Sequence, residues 1–403
     1  MFRRGCLLLL IVFLAVGQAR AQAPVLSDDN EFSTQTPADF MTVPPDKDFD
    51  PSGVLAARAV VTVALQLDNI LTAGPTYQPF SSLFAEAELR GYVALTRYFT
   101  INGLVRLEQP RDQLQSGAFV DQSLYVQRLF AVVNIQPVSL YGGKIHPRFG
   151  IGWYFTPGLY GNDFAEEYEL NERLGVGLRL DFRAFARHRL TVEAFQADTS
   201  FLNGNAFAGS VQLGDPGIKR QGRRSLADGG VSNTGTLESF AVAFSSRRFP
   251  GLAGLGTEIG FAKQKASPLD TRDEYSWAAA AHWRLPLGGE LSIEPMAEFA
   301  AIKGQAGTDR DVDYLTVAAN LRIGETWAIA LHTSQKYVRD HALADYRTDW
   351  LAGAAIACDL GEAFKEELPW LAGFTAVAGY RFDRRMGVSR DTLGFLLKYE
   401  KVF

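Results

Sequence analysis

The sequence predicts an all-β fold: a transmembrane antiparallel β-barrel of about 16 strands. Three observations predict it. Apolar and polar residues alternate in segment after segment. Beyond the first 21 residues there is no apolar run of about 18 residues, so the chain offers no spanning helix. The connections between the alternating segments are in turn short and long. A bilayer interior leaves backbone groups no water to bond, so a chain without spanning helices enters it as a closed barrel.

The first residues set the compartment. Arg3 and Arg4 form a basic start, Leu7 to Val16 is an apolar run, and Ala19-Arg20-Ala21 is a small-x-small site. This is the layout of a signal peptide, read here as residues 1–21, with the mature chain starting near Gln22. The run is short for a spanning helix, which needs roughly 20 apolar residues. Cys6 precedes the apolar core, where a lipidated cysteine would follow it. Residues 22–54 are rich in Pro, Asp, Ser and Thr and have no period, which predicts a mobile periplasmic tail. After cleavage only Cys358 remains, so no internal disulfide can form.

From residue 55 to 403 the period is two. Val61, Val63, Leu65 and Leu67 alternate with Thr62, Ala64, Gln66 and Asp68. Leu83 to Leu89 alternate with Phe84, Glu86, Glu88 and Arg90, and Ile101 to Leu107 with Asn102, Leu104, Arg106 and Glu108. A soluble sandwich also alternates, but it needs a second apolar face to cover the first. Here nearly every later segment repeats the pattern, often with aromatics at the ends of the apolar face, as a barrel with lipid outside and water inside requires. The expected lipid-facing side chains include Val63, Leu89, Ile101, Leu178, Ile293 and Leu331.

The connections agree with the count. Thr96-Arg97, Gln136-Pro137, Leu287 to Gly289 and Gly324-Glu325 are short, whereas 147–171 and 200–236 are long. Short periplasmic turns and longer external loops are the rule for such barrels, and periplasmic termini put every long loop outside. Residues 361–370 are long for a periplasmic turn and predict a short helix or strand extensions.

Charge excludes some partners. Lys and Arg number 40 against 45 Asp and Glu. Much of the acidic excess lies before the barrel, where Asp28, Asp29, Glu31, Asp39, Asp46, Asp48 and Asp50 face only Lys47. The barrel itself is nearly balanced, which argues against nucleic acid as a partner.

The last segment places Leu393, Phe395, Leu397 and Tyr399 on one face and ends at Phe403. It resembles the terminal strand of bacterial outer-membrane proteins, whose final aromatic is read by the barrel-assembly machinery. Tyr141-Gly142-Gly143-Lys144-Ile145-His146-Pro147-Arg148-Phe149-Gly150 resembles a segment of phosphate-selective and related porins. The coiled-coil start of some phosphate-selective porins is missing, as is a lysine ladder. The resemblance implies a bacterial outer-membrane porin, by analogy a homotrimer, forming a water-filled channel for passive diffusion of small hydrophilic solutes or ions. A channel selective for phosphate or small organic anions is the alternative, and a barrel phospholipase or protease a further one.

The long loop 147–171 is expected to fold into the barrel, as the third loop of general porins does. Tyr160, Phe164 and Tyr168 give it apolar anchors, and Asp163, Glu166, Glu167 and Glu169 form an acidic cluster. This cluster is expected to line a constriction opposite Lys144 and Arg106. Arg90, Arg179, Arg322 and Arg381 fall on the predicted inner face as well. A lipid-facing Arg at mid-bilayer costs about 2–4 kcal/mol, so inward placement is expected in any such barrel. Glu86, Glu88, Glu193, Glu258, Glu294 and Glu298 share that face and are expected to pair with the basic residues. In loop 200–236, Lys219-Arg220-Gln221-Gly222-Arg223-Arg224 is read as a solvated surface segment, with lipopolysaccharide phosphates as the alternative contact. No Gly-x-Ser-x-Gly, His-Glu-x-x-His or paired-cysteine motif occurs, so neither catalysis nor a metal or other cofactor is expected.

Overall fold

The computed structural model describes residues 56–73, 78–109, 115–207 and 225–403. The signal peptide, the tail 22–54 and the basic segment 219–224 lie outside the described residues. Sixteen strands form one closed antiparallel barrel. The first half comprises β1 (Ala56–Ala73), β2 (Phe80–Ala94), β3 (Phe99–Glu108), β4 (Ser123–Ile135), β5 (Val138–Ile145), β6 (Arg173–Arg183), β7 (Arg187–Ala197) and β8 (Ser239–Phe249). The second half comprises β9 (Leu252–Gln264), β10 (Glu274–Trp283, continued by Leu285–Gly288), β11 (Leu291–Lys303) and β12 (Arg310–Ile323). It ends with β13 (Trp327–Asp340), β14 (Asp345–Asp359), β15 (Phe374–Arg385) and β16 (Val388–Val402). Each strand pairs with its sequence neighbour, and β16 returns to β1 over Val402↔Val60 to Arg390↔Ala73. The closed sheet leaves no edge strand open.

The alternation places the faces as the sequence predicts. Val63, Leu89, Ile101, Leu178 and Leu331 are exposed on the outer wall. Ile293 is only half-exposed, because Leu285 and Leu321 flank it on the neighbouring strands. Tyr98, Phe182, Trp327 and Phe403 ring the end bearing the short turns, and Tyr337, Tyr346 and Trp350 ring the other. Residues 360–371 fold as two short helical turns, Leu360–Ala363 and Pro369–Leu371. They bury Leu360 and Leu371 against Cys358.

The connection between β5 and β6 runs inside the barrel. Its Phe149, Phe164 and Tyr168 are buried against inward-facing Ala241, Ala262, Ala278 and Ala300 of β8 to β11. Alanines on a lumen face leave the volume that these rings fill. The barrel therefore holds an apolar core on one side and an open cavity on the other. On the loop end, Ala206 of the β7–β8 connection bridges to Leu124 of β4.

Candidate functional site: the inserted loop and the passage beside it

The base of the loop is held by three wall carboxylates. Glu193 of β7 accepts a hydrogen bond from the Arg148 backbone N–H (2.6 Å) and one from the Tyr141 hydroxyl (2.7 Å). Glu258 of β9 accepts from the Arg148 guanidinium (2.8 Å) and from Ser245 (2.7 Å). Glu298 of β11 accepts from the backbone N–H groups of Ile151 and Gly152 and from the Tyr168 hydroxyl. Gly150 has φ +70°, and a Cβ there would lie 3.0 Å from the Glu298 carboxylate. The glycine permits both the turn and the close approach.

The tip crosses to the far wall. Gly379 of β15 and Gly394 of β16 are cross-strand partners that face inward. Together they form a notch for Leu159 and Tyr160: a Cβ on Gly394 would fall 1.9 Å from the Tyr160 hydroxyl oxygen. That hydroxyl donates to Asp68 of β1 at 2.6 Å, and the Arg381 guanidinium lies 4.5 Å from the ring centroid. Burial and then the Asp68 carboxylate raise the Tyr160 phenol above its ordinary range, so it stays a donor. The returning segment is ion-paired to the wall. Asp163 meets Arg381 at 2.5 Å and Arg385 at 3.6 Å. Glu167 meets Lys336 at 2.5 Å and Arg385 at 3.5 Å, and accepts from the Tyr314 hydroxyl at 2.9 Å.

A cavity of about 1000 Å³ runs beside the loop. On one side stand Trp153 to Glu166 of the loop, and on the other Asp68, Glu86, Arg90 and Arg106 of β1 to β3. Towards the turn end it opens over Arg247, Arg284 and Arg322. Six of the ten residues singled out from sequence line it: Arg90, Arg106, Asp163, Glu166, Arg322 and Arg381. Arg106 sits among Glu86, Glu88 and Glu108, at 3.8, 3.5 and 3.0 Å. Arg90 pairs with Glu400 at 3.2 Å and Arg322 with Glu294 at 3.5 Å.

The other four lie elsewhere. Lys144 is a correction: it does not stand opposite the acidic loop. On β5, Tyr141 and Ile145 are the buried inner residues, so the parity of Lys144 is outward, with that of exposed Leu140. Lys144 is fully buried where the β7–β8 connection folds over it, bonded to Glu172 (2.8 Å), Asp198 (3.0 Å) and Asn203 (3.1 Å). Glu167 is taken up by the wall contacts above. Glu169 accepts from the Tyr154 hydroxyl at 3.0 Å, beside His146, whose imidazole burial holds below its ordinary range. Arg179 is buried behind the loop, bonded to Ser139 (3.0 Å) and paired with Asp181 (3.2 Å). A second expectation is also corrected. Among the described residues Glu193 and Glu298 meet the loop backbone instead of basic wall residues, and Glu258 meets Arg148 of the loop. Arg247, Arg284, Lys336 and Arg385 were not singled out from sequence, although each lies on or beside an alternating strand. Their only signal was inward parity, which many other residues share.

A closed 16-stranded barrel with an apolar belt, an inserted third loop and a cavity lined by charged side chains decides the fold. The chain has the outer-membrane porin fold. No protein-family model matches the sequence, and no curated protein matches it significantly. Solved structures do. OprB of Pseudomonas putida is similar at TM-score 0.58 and 10% identity, over 87% of this chain and 94% of that one. The outer-membrane channel DcaP of Acinetobacter baumannii gives TM-score 0.52 and 10% identity, over 87% and 98% of the two chains. A BenF-like porin from Pseudomonas fluorescens Pf-5 gives 0.51 and 11%, over 86% and 99%. At these identities the likeness concerns the fold. Among the described residues no group of three or more His, Cys, Asp or Glu is placed to hold a metal.

Proposed function

We propose that the protein is a passive outer-membrane channel for small hydrophilic solutes, with a preference for anions over cations. The charge along the passage carries this reading. Among the described residues, eight basic and six acidic side chains line the cavity. One of the six, Asp163, is already paired to Arg381 and Arg385, and the neighbouring Glu167 is turned into the wall. Asp163 and Glu167 thus neutralise wall cations, and the lining keeps more basic than acidic side chains. The loop end is read as external and the turn end as periplasmic, in keeping with the resemblance to known porins. Proteoliposomes tested in iso-osmotic sugars should swell at rates that fall with sugar size. Swelling no faster than that of protein-free liposomes would overturn the channel reading.

A further inference from the structure

On the turn side of the inserted loop, the cavity wall carries an aromatic platform beside clustered arginines. The register builds it. Gly256 of β9 pairs with Arg247 of β8 on one side and with His282 of β10 on the other. A Cβ on Gly256 would fall 2.1 Å from the His282 Nε2, so the glycine lets that ring lie flat across the strand. Phe155 of the loop stacks on His282 at 4.2 Å between centroids and 23° between planes. The Arg247 guanidinium lies 5.6 Å from the centroid of the Phe155 ring. Nearer the turn end, Arg284 and Arg322 share a single carboxylate, Glu294, at 2.5 and 3.5 Å. Both arginines remain 40% or more exposed, and Phe155, Arg247, His282, Arg284, Glu294 and Arg322 line the same cavity.

Two arginines on one carboxylate leave a positive charge facing water. Guanidinium groups bind carboxylates through paired N–H donors, and aromatic faces favour planar partners. We infer that this cluster is a transit site for small organic carboxylates with a planar, conjugated body. The carboxylate lies on Arg284 and Arg322, and the planar body lies against Phe155 under Arg247. The inference rests on the channel reading and adds a solute class to it. Phe155→Leu leaves the wall-carboxylate bonds at the loop base and the Tyr160 bond at its tip in place.

The test is block of chloride current in planar bilayers, with 2-furoate compared against tetrahydro-2-furoate. The two match in charge and size and differ in planarity. In the wild-type channel 2-furoate should block at about fivefold lower concentration, the scale of one aromatic contact. Phe155→Leu should bring the two probes together. Arg284→Gln with Arg322→Gln should weaken both probes while keeping their ratio. Equal block by the two probes in the wild-type channel would overturn the inference, and so would a ratio that survives Phe155→Leu. A wild-type protein that passes no chloride at all would instead overturn the channel reading.

Discussion

The two ends of the inserted loop are held by different chemistry. At the base, residues 148–152, buried wall carboxylates accept hydrogen bonds from backbone N–H groups. At the tip, Tyr160 to Glu167, the contacts join side chains, most of them charged, and Tyr160 and Asp163 border the cavity. Asp163 and Glu167 keep 19% and 23% of their side chains exposed. A buried N–H without a partner costs its full desolvation at any salt concentration. An ion pair bordering water is screened over about 8 Å at physiological ionic strength. The base therefore decides whether the loop is inside the barrel, and the tip decides what charge the passage presents.

Removing a base contact should have the largest effect. Glu298→Ala leaves two buried N–H groups and the Tyr168 hydroxyl without their acceptor, a cost of roughly 2–5 kcal/mol. Thermal unfolding should shift down, and single-channel conductance should rise as the loop leaves the lumen. Unchanged conductance would mean that the base does not hold the loop.

Lys144→Met sharpens the contrast from outside the passage. It removes the ammonium that Glu172 and Asp198 share under the β7–β8 connection, at a cost of about 3–5 kcal/mol. Its ion selectivity should stay at the wild-type value, since Lys144 is not a lining residue. A shift towards cations in the reversal potential would return Lys144 to the passage.

At the tip, Asp163→Asn with Glu167→Gln should cost less stability, about 1–2 kcal/mol, because the pairs border water. Tyr160→Phe should have the smallest effect, about 1 kcal/mol from one lost hydrogen bond to Asp68. Its signature should be added current noise in single-channel records at unchanged mean selectivity. Quiet records would show that the notch at Gly379 and Gly394 holds the tip unaided.

The barrel was legible in the sequence because each strand repeats a period of two, and lipid enforces it along the whole wall. The inward fold of the loop was legible through Phe164 and Tyr168, two apolar anchors in a segment otherwise rich in acids. The partners of the loop were not. Glu298 and Glu294 occupy the same inner parity on one strand, yet the first holds the loop and the second holds two arginines. Parity gives a side, whereas height and neighbours depend on strand stagger. Lys144 was misplaced for a related reason. Near the end of β5, Gly143 and Lys144 offer no apolar alternation, and only the burial of Tyr141 and Ile145 fixes the parity.

The most direct test of the account is the reversal potential across a potassium chloride gradient, for the wild-type channel and for Asp163→Asn with Glu167→Gln. The wild type should favour chloride modestly. The double variant, in which Arg385 and Lys336 lose these carboxylates and Arg381 keeps Asp383 alone, should favour chloride more strongly, by a margin that shrinks as salt rises. A cation-selective wild type, or a variant indistinguishable from it at low salt, would contradict the claim that Asp163 and Glu167 are neutralised by the wall.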